Sequence, residues 1–341
     1  MTKVVAVFYQ FLIAGSLLAA PSIQWKTSEI EDMPCENPSD FRFNGGSQFS
    51  HGNALFFLWA NHYLEGGSPG SYRSQLQQYG FTNFEFVRGD SSGGPVAALM
   101  SNDNMIAIIF RGSRTLEDAF VDSRFLQRAS KTNSIRGRIH RGILDYYNEL
   151  KPELDAALEA LKPQGKKVYF TGHSLGGALA QLAATSAAKS GLAIEAVYTS
   201  ATPRIGDAEF LRDAEISLPN KIYTLVTDKD VVPHIPPSQW LSSDFAKIQF
   251  NGRAVSLGIQ KIVEDLNFDV TPGSIVFIPR IGPSTFHTGL QKIDLEKKFW
   301  NELREQLEPK QFLKLIRDMK SRFQSHAPVG YYCKYLKSLS N

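Results

Sequence analysis

The run Val168-Tyr169-Phe170-Thr171-Gly172-His173-Ser174-Leu175-Gly176-Gly177-Ala178-Leu179-Ala180 limits what this chain can fold into more than any other stretch. Its first part is rich in β-branched and aromatic residues, as a buried strand requires. Its last part is alanine-rich, as a helix packed close to a sheet requires. Between them stands Gly-x-Ser-x-Gly. A serine on so sharp a strand-to-helix turn is held in a strained backbone conformation that only small neighbours permit, and Gly172 and Gly176 supply that room. Its hydroxyl then stands at the edge of a sheet. The helix N-terminus beside it points free N–H groups and the positive dipole end toward any negative charge that develops there, with Leu175 N–H the first donor. Ala183, Ala184, Ala187 and Ala188 extend the small-residue face, so the stretch reads as a nucleophile elbow rather than a glycine loop.

The flanking patterns fit a sheet built around that elbow. His51 to Leu64 and Ser71 to Tyr79 have helical apolar spacing; Phe84 to Val87, Pro95 to Met100 and Met105 to Phe110 read as strands. Met105 to Phe110 is apolar throughout and suits a central strand buried on both faces. Ile143 to Leu161 predicts an amphipathic helix that Pro152 kinks or divides. Further strands follow at Ala196 to Ser200, Tyr223 to Thr227 and Ile275 to Ile278, and charged helices at Asp294 to Leu307 and Gln311 to Phe323. The charge of the last two suits solvated faces. Strands alternating with helices predict a mostly parallel α/β sheet, whose ligands sit beyond the strand carboxyl ends.

Composition narrows the function classes. With 341 residues, 43% of them hydrophobic, the chain can bury a full core as one domain, expected over 21–341. A net charge of +3 with dispersed Lys and Arg does not imply a nucleic-acid partner. No zinc-type Cys/His spacing, phosphate-binding glycine loop or dinucleotide fingerprint occurs, so no cofactor or metal is expected. Residues 4–20 form an apolar run after Lys3 that ends in small residues before Pro21, so 1–20 reads as a secretory signal peptide. The alternative is an uncleaved membrane anchor. Cys35 and Cys333 lie near opposite ends, and in an oxidising compartment a bridge between them would close almost the whole chain.

Five motifs then occur in order: Phe110-Arg111-Gly112-Ser113, His140-Arg141-Gly142-Ile143, Gly172-His173-Ser174-Leu175-Gly176-Gly177, Tyr198 to Gly206 (Tyr-Thr-Ser-Ala-Thr-Pro-Arg-Ile-Gly) and Asp230-Val231-Val232-Pro233. Together they resemble the class 3 lipases of the α/β-hydrolase fold, closely over residues 80–240 and loosely elsewhere. The resemblance implies a mostly parallel sheet with helices on both faces and a helical lid over a Ser-His-Asp site. It also implies an acylglycerol lipase or esterase, secreted or membrane-associated, whose partner is a lipid or ester substrate at a lipid–water interface; a phospholipase A1, and from another class a lipase-like scaffold without turnover, are the alternatives.

Ser174 is the expected nucleophile; it needs a base within hydrogen-bond reach and an acid to orient that base. Asp228 and Asp230 both follow the strand Tyr223 to Thr227. Asp230 has the apolar flank Val231-Val232-Pro233 and matches the family's Asp-x-Val-Pro, whereas Asp228 beside Lys229 suits a solvated turn. Of seven histidines, the order acid-then-histidine removes His51, His62, His140 and His173. His173 is expected to brace the elbow and His140 to make a structural hydrogen bond, and the resemblance places His234 in a structural loop. His287 and His326 remain. His326, followed within a few residues by Tyr331 and Tyr332, resembles the family's base. A Cys333 bridge would anchor the segment after it. For the oxyanion hole the resemblance adds Ser113, through its N–H, to Leu175. It places the lid at Thr115 to Gln127, where Leu116, Phe120, Val121, Phe125 and Leu126 form one apolar face. Ala119 stands there where a tryptophan is common, and Asp122 matches the acid that braces the oxyanion serine.

Overall fold

The computed structural model describes residues 35, 46–66, 69–88, 95–112, 127–129, 135–236, 238–241, 249–250, 253–254, 267–305 and 326–339. The signal segment 1–20, Ser113, the lid segment 115–126 with Ala119 and Asp122, and the expected helix 311–323 lie outside them.

Helices α1 (His51–Gly66) and α2 (Pro69–Gln77) precede strands β1 (Asn83–Arg88), β2 (Pro95–Ser101) and β3 (Met105–Phe110). Then come β4 (Gln127–Ala129), β5 (Arg138–His140), α3 (Arg141–Ala160), β6 (Lys167–His173) and α4 (Leu175–Lys189). Strand β7 (Ile194–Ser200), helix α5 (Ala208–Ser217) and strand β8 (Ile222–Thr227) follow, then a short β9 (Gln249–Phe250) and β10 (Arg253–Ala254) pair. The described part ends with β11 (Ser274–Ile278), β12 (Thr285–His287), α6 (Leu290–Glu305) and α7 (Pro328–Leu339).

The main sheet has eight strands in the order β1-β2-β3-β6-β7-β8-β11-β12. Neighbours from β3 to β11 run parallel, while β1, β2 and β12 make antiparallel pairs at the two ends. Period-two alternation sorts the central side chains between two cores. Ile106, Ile108, Phe110, Val168 and Phe170 face a layer holding α3, α4 and α5. Ala107, Ile109 and Tyr169 face a second layer holding α1, α2 and α7. The apolar run Met105 to Phe110 is therefore continuous because both of its faces are covered.

Helix α1 is buried over residues 53–61 because it lies between the sheet and α7. Its Phe56, Phe57, Trp59 and Tyr63 join Tyr169, Tyr198, Tyr331, Tyr332 and Tyr335 in a largely aromatic layer. Helix α3 runs unbroken through Pro152. The ring stands on the exposed face, where solvent meets the loss of one helical N–H, while Ile143, Leu144, Tyr147, Leu150 and Leu154 pack inward. Cys35 and Cys333 form a disulfide with Cα atoms 5.7 Å apart, tying the chain before α1 to α7.

Candidate active site

The site is assembled at the carboxyl ends of β3, β6 and β8. Strand β6 ends at His173 and helix α4 begins at Leu175, so the whole turn is made by Ser174, at φ 55° and ψ −127°. That backbone region is sparsely populated by L-residues and costs on the order of 1–3 kcal/mol. The turn is held by Ser174 N–H donating to Ser200 O at 2.9 Å and Gly177 N–H donating to Ser174 O at 2.9 Å. Close approach dictates the two glycines: a Cβ on Gly172 would overlap the Gly176 carbonyl, and one on Gly176 would overlap the Phe110 and Arg111 carbonyls. The elbow is thereby pressed against the end of β3. Ser174 is buried, and the N–H groups of Leu175 and Gly176 come before Gly177, the first of α4 to bond back to Ser174 O.

Asp230 lies just past β8 and is fully buried. Its Oδ1 accepts from Val232 N–H at 2.9 Å. Its Oδ2 accepts from His326 Nδ1–H at 2.9 Å and from the Tyr331 O–H at 2.6 Å. His326 stands two residues before α7, and the first turn of that helix delivers Tyr331. Burial first, then the Asp230 charge, push the Tyr331 hydroxyl well above its usual range, so it stays a donor. Its oxygen also accepts from Thr227 N–H at 3.3 Å.

With Nδ1–H engaged by the carboxylate, Nε2 of His326 carries the free lone pair. That atom is buried and has no hydrogen-bond partner among the described residues. The His326 ring lies 4.7 Å from the His173 ring, beside the residue that precedes Ser174. His173 in turn bonds Ser200 Oγ through Nδ1 at 2.9 Å. Burial, and then the neighbouring His326, hold His173 well below its ordinary value of 6.5, so it is a neutral brace.

The alternatives occupy other surroundings. Asp228 meets Lys334 at 3.6 Å and bonds no histidine among the described residues. His287 is in edge strand β12, with its Nε2 against Thr285 Oγ1 at 2.9 Å. His140 caps α3 by accepting from Ile143 N–H at 3.4 Å. His234 stacks on Phe299 at 3.9 Å. The structure therefore joins Asp230 to His326 and sets that pair against His173, the residue before Ser174 and Leu175, while Ser113 falls outside the described residues just past Gly112.

Sequence reading passed over two groups at this end of the sheet. Tyr331 was legible only as part of the motif after His326. Glu65, near the end of α1, accepts the Gly112 N–H through Oε1 at 3.3 Å. The sole signal for it was an acidic residue in the last turn of an otherwise apolar helix. No three His, Cys, Asp or Glu side chains among the described residues are grouped to hold a metal ion. Chemically, a buried carboxylate orienting an imidazole beside a strained serine suits proton abstraction from that hydroxyl and acyl transfer.

Residues 107–240 match the family described as Lipase (class 3). The chain is 34% identical over 163 residues to a lipase of Rhizomucor miehei, a match covering 46% of this chain and 41% of that one. It is 30% identical over 156 residues to the secreted mono- and diacylglycerol lipase 1 of Fusarium solani, covering 44% and 45%. The chain thus spans less than half the length of these curated relatives. Among solved structures, the mono- and diacylglycerol lipase of Aspergillus oryzae has a TM-score of 0.53 at 16% identity, covering 71% of this chain and 87% of that one. A lipase of Rhizopus microsporus var. chinensis has a TM-score of 0.51 at 20% identity, covering 77% and 90%. Those two likenesses concern the fold, which is the α/β-hydrolase fold. Over residues 107–240 the chain is thus similar to the class 3 lipases.

Proposed function

We propose that the protein is a serine carboxylic-ester hydrolase acting on acylglycerols through an acyl-serine intermediate. The observation that carries this reading is the Asp230–His326 pair beside the elbow, with His326 Nε2 left without a partner among the described residues. His326 Nε2 takes the Ser174 proton as Oγ bonds to the ester carbonyl carbon and the carbonyl electron pair moves to oxygen. The N–H groups of Leu175 and Ser113 hold that oxyanion. Asp230 stabilises the imidazolium, which gives its proton to the departing alkoxide as the carbon–oxygen bond breaks. Water then repeats the sequence on the acyl-serine and releases the fatty acid. The lid segment 115–127 and the lipid–water interface as the place of action belong to the same reading. So does secretion, supported by the apolar run at 4–20, by the disulfide and by the name of the Fusarium relative. Residues 21–341 act as one domain.

The test is hydrolysis of a short p-nitrophenyl ester and an emulsified triacylglycerol by wild type, Ser174→Ala, His326→Ala and His287→Ala, with folding checked for each. Losses of about a thousandfold or more are expected for the first two variants, and near-wild-type rates for His287→Ala. A folded wild type that turns over neither ester refutes the reading. The ratio of the two substrates measures lipase against esterase character.

A further inference from the structure

Helix α1 is apolar from Ala54 to Ala60, buried between the sheet and α7, and turns polar again in its last two turns, at Asn61, His62 and Glu65. Those turns point at the catalytic end of the sheet. Asn61 Nδ2 donates to Thr171 Oγ1 of β6 at 3.0 Å, and one turn later Glu65 Oε1 accepts the Gly112 N–H at the end of β3. The two strands gripped this way are the one that ends in the elbow and the one that leads into Ser113.

Gly112 is closely approached. A Cβ on it would meet both the Glu65 carboxyl and, at 3.2 Å, the His173 carbonyl. The preceding two carbonyls, of Phe110 and Arg111, press on Gly176. The end of β3 thus meets backbone carbonyl contacts from the elbow and a side-chain hydrogen bond from α1. Because Glu65 lies 47 residues from Gly112 in sequence, this bond is a tertiary contact and no part of the local turn.

The protonation of Glu65 suits that position. Burial pushes its carboxyl up to about 8, despite the Gly112 N–H and the Arg111 charge, which pull the other way. At neutral pH it is mostly an uncharged acid, able to accept the amide proton without placing a full negative charge behind a site where an oxyanion develops. A glutamine has the same shape and the same acceptor.

We propose that Glu65 is a positioning residue for the ester-hydrolysing site: by accepting the Gly112 N–H, its side chain fixes the backbone that leads into the oxyanion donor Ser113. This rests on the hydrolase reading above. It extends the site to a residue that touches neither substrate nor the triad and acts through the direction of one peptide.

The experiment measures kcat and KM for a short soluble ester with wild type, Glu65→Gln and Glu65→Leu at pH 7, together with labelling of Ser174 by a fluorophosphonate. Glu65→Gln is expected within about threefold of wild type, and Glu65→Leu to lose about tenfold or more in kcat with KM within twofold. A folded Glu65→Leu with wild-type kcat overturns the proposal; so does a loss confined to KM, or an equal loss in both variants. If Glu65→Leu does not fold, Glu65→Asp decides, since it withdraws the carboxyl by one methylene: kcat falling in Asp but not in Gln supports the role, and equal rates overturn it. Wild type that neither turns over nor labels refutes the hydrolase reading itself, a result separate from an active wild type that is indifferent to residue 65.

Discussion

Cutting the Cys35–Cys333 disulfide removes the longest-range constraint described in the molecule. The two cysteines are 298 residues apart in sequence, so the bridge closes nearly the whole chain into one loop. On the loop-entropy relation, a loop of that size lowers the entropy of the unfolded chain by about 19 cal/mol/K, or roughly 6 kcal/mol at 25 °C. That is an upper figure, because real unfolded chains retain compact structure and already lack part of that freedom. Half of it, about 3 kcal/mol, is the working expectation. With a urea dependence of about 3 kcal/mol/M for a chain this long, the midpoint moves down by about 1 M. The assay is urea unfolding followed by fluorescence of the four tryptophans, on oxidised protein, on reduced protein and on the Cys35→Ser/Cys333→Ser double variant. Reduced and double-variant protein should unfold together, both about 1 M below the oxidised form. Activity should fail earlier on heating as well, because Cys333 sits on α7, the helix that follows His326 and carries Tyr331. Coincident midpoints for oxidised and reduced protein would show that α7 is held by its packing alone and refute the reasoning.

Two further perturbations probe the same end of the sheet. Tyr331→Phe removes a charge-assisted donor to Asp230 and the acceptor of a buried Thr227 N–H, so about 2–3 kcal/mol of stability and several degrees of Tm should go, with a lower kcat and little change in KM; an unchanged melting curve would contradict this. The pH dependence of stability has opposite signs on its two sides. Glu65, pushed up to about 8 from 4.5, keeps its proton in the folded state while the unfolded chain releases it. Its contribution is full below pH 4.5 and is lost as pH rises through 8, on the order of 5 kcal/mol in all. His173, held well below 6.5, contributes above pH 6.5 and loses that contribution as pH falls. The Tm of wild type minus that of Glu65→Gln should therefore fall steadily between pH 5 and pH 8.5. The groups around Glu65 that also bear on this are Arg111 at the end of β3, His62 on α1 and His173 at the end of β6. A difference flat across that range would refute the buried-acid account.

Much of the fold was legible because its signals are local. Met105 to Phe110 announces a strand covered on both faces, and β6 through α4 announces the elbow by composition alone. Helix α5 went unread although Asp207 caps it by accepting from Phe210 N–H at 3.0 Å and its apolar residues recur at helical spacing. Strand β12 is three residues long at a sheet edge, too short for periodicity to register. Helix α7 has tyrosines and an internal Gly330 where helix formers are expected; its tyrosines are there because the layer around α1 buries them. At the site, chain order and the family pattern left His287 beside His326, and only the placement of β12 and α7 separates their surroundings. Glu65 had no sequence signal that tied it to Gly112, because a contact across 47 residues leaves no period in either segment.

The sequence of β6 records a change of purpose along one strand. Val168, Tyr169 and Phe170 are ordinary core, and from Thr171 onward every side chain is polar or absent although burial continues through Ser174. Buried polar groups are tolerated where they find partners, and most do: Thr171 with Asn61, His173 with Ser200, and next door Gln181 with Thr199 and Thr224. Among the described residues His326 Nε2 has no partner, in the same neighbourhood where Ser174 holds a strained backbone. Each departs from what stability alone would select, by roughly 1–3 kcal/mol. The offset lies away from the chemistry, in the aromatic layer that seats α1 and α7 and in the bridge that ties Cys35 to Cys333. That arrangement explains why the helices farthest apart in sequence pack together behind the elbow: α1 carries the residues that grip β3 and β6, and α7 carries the tyrosine that grips Asp230. A rigid support on that face is what allows an unpartnered nitrogen and a strained serine to persist in the folded state.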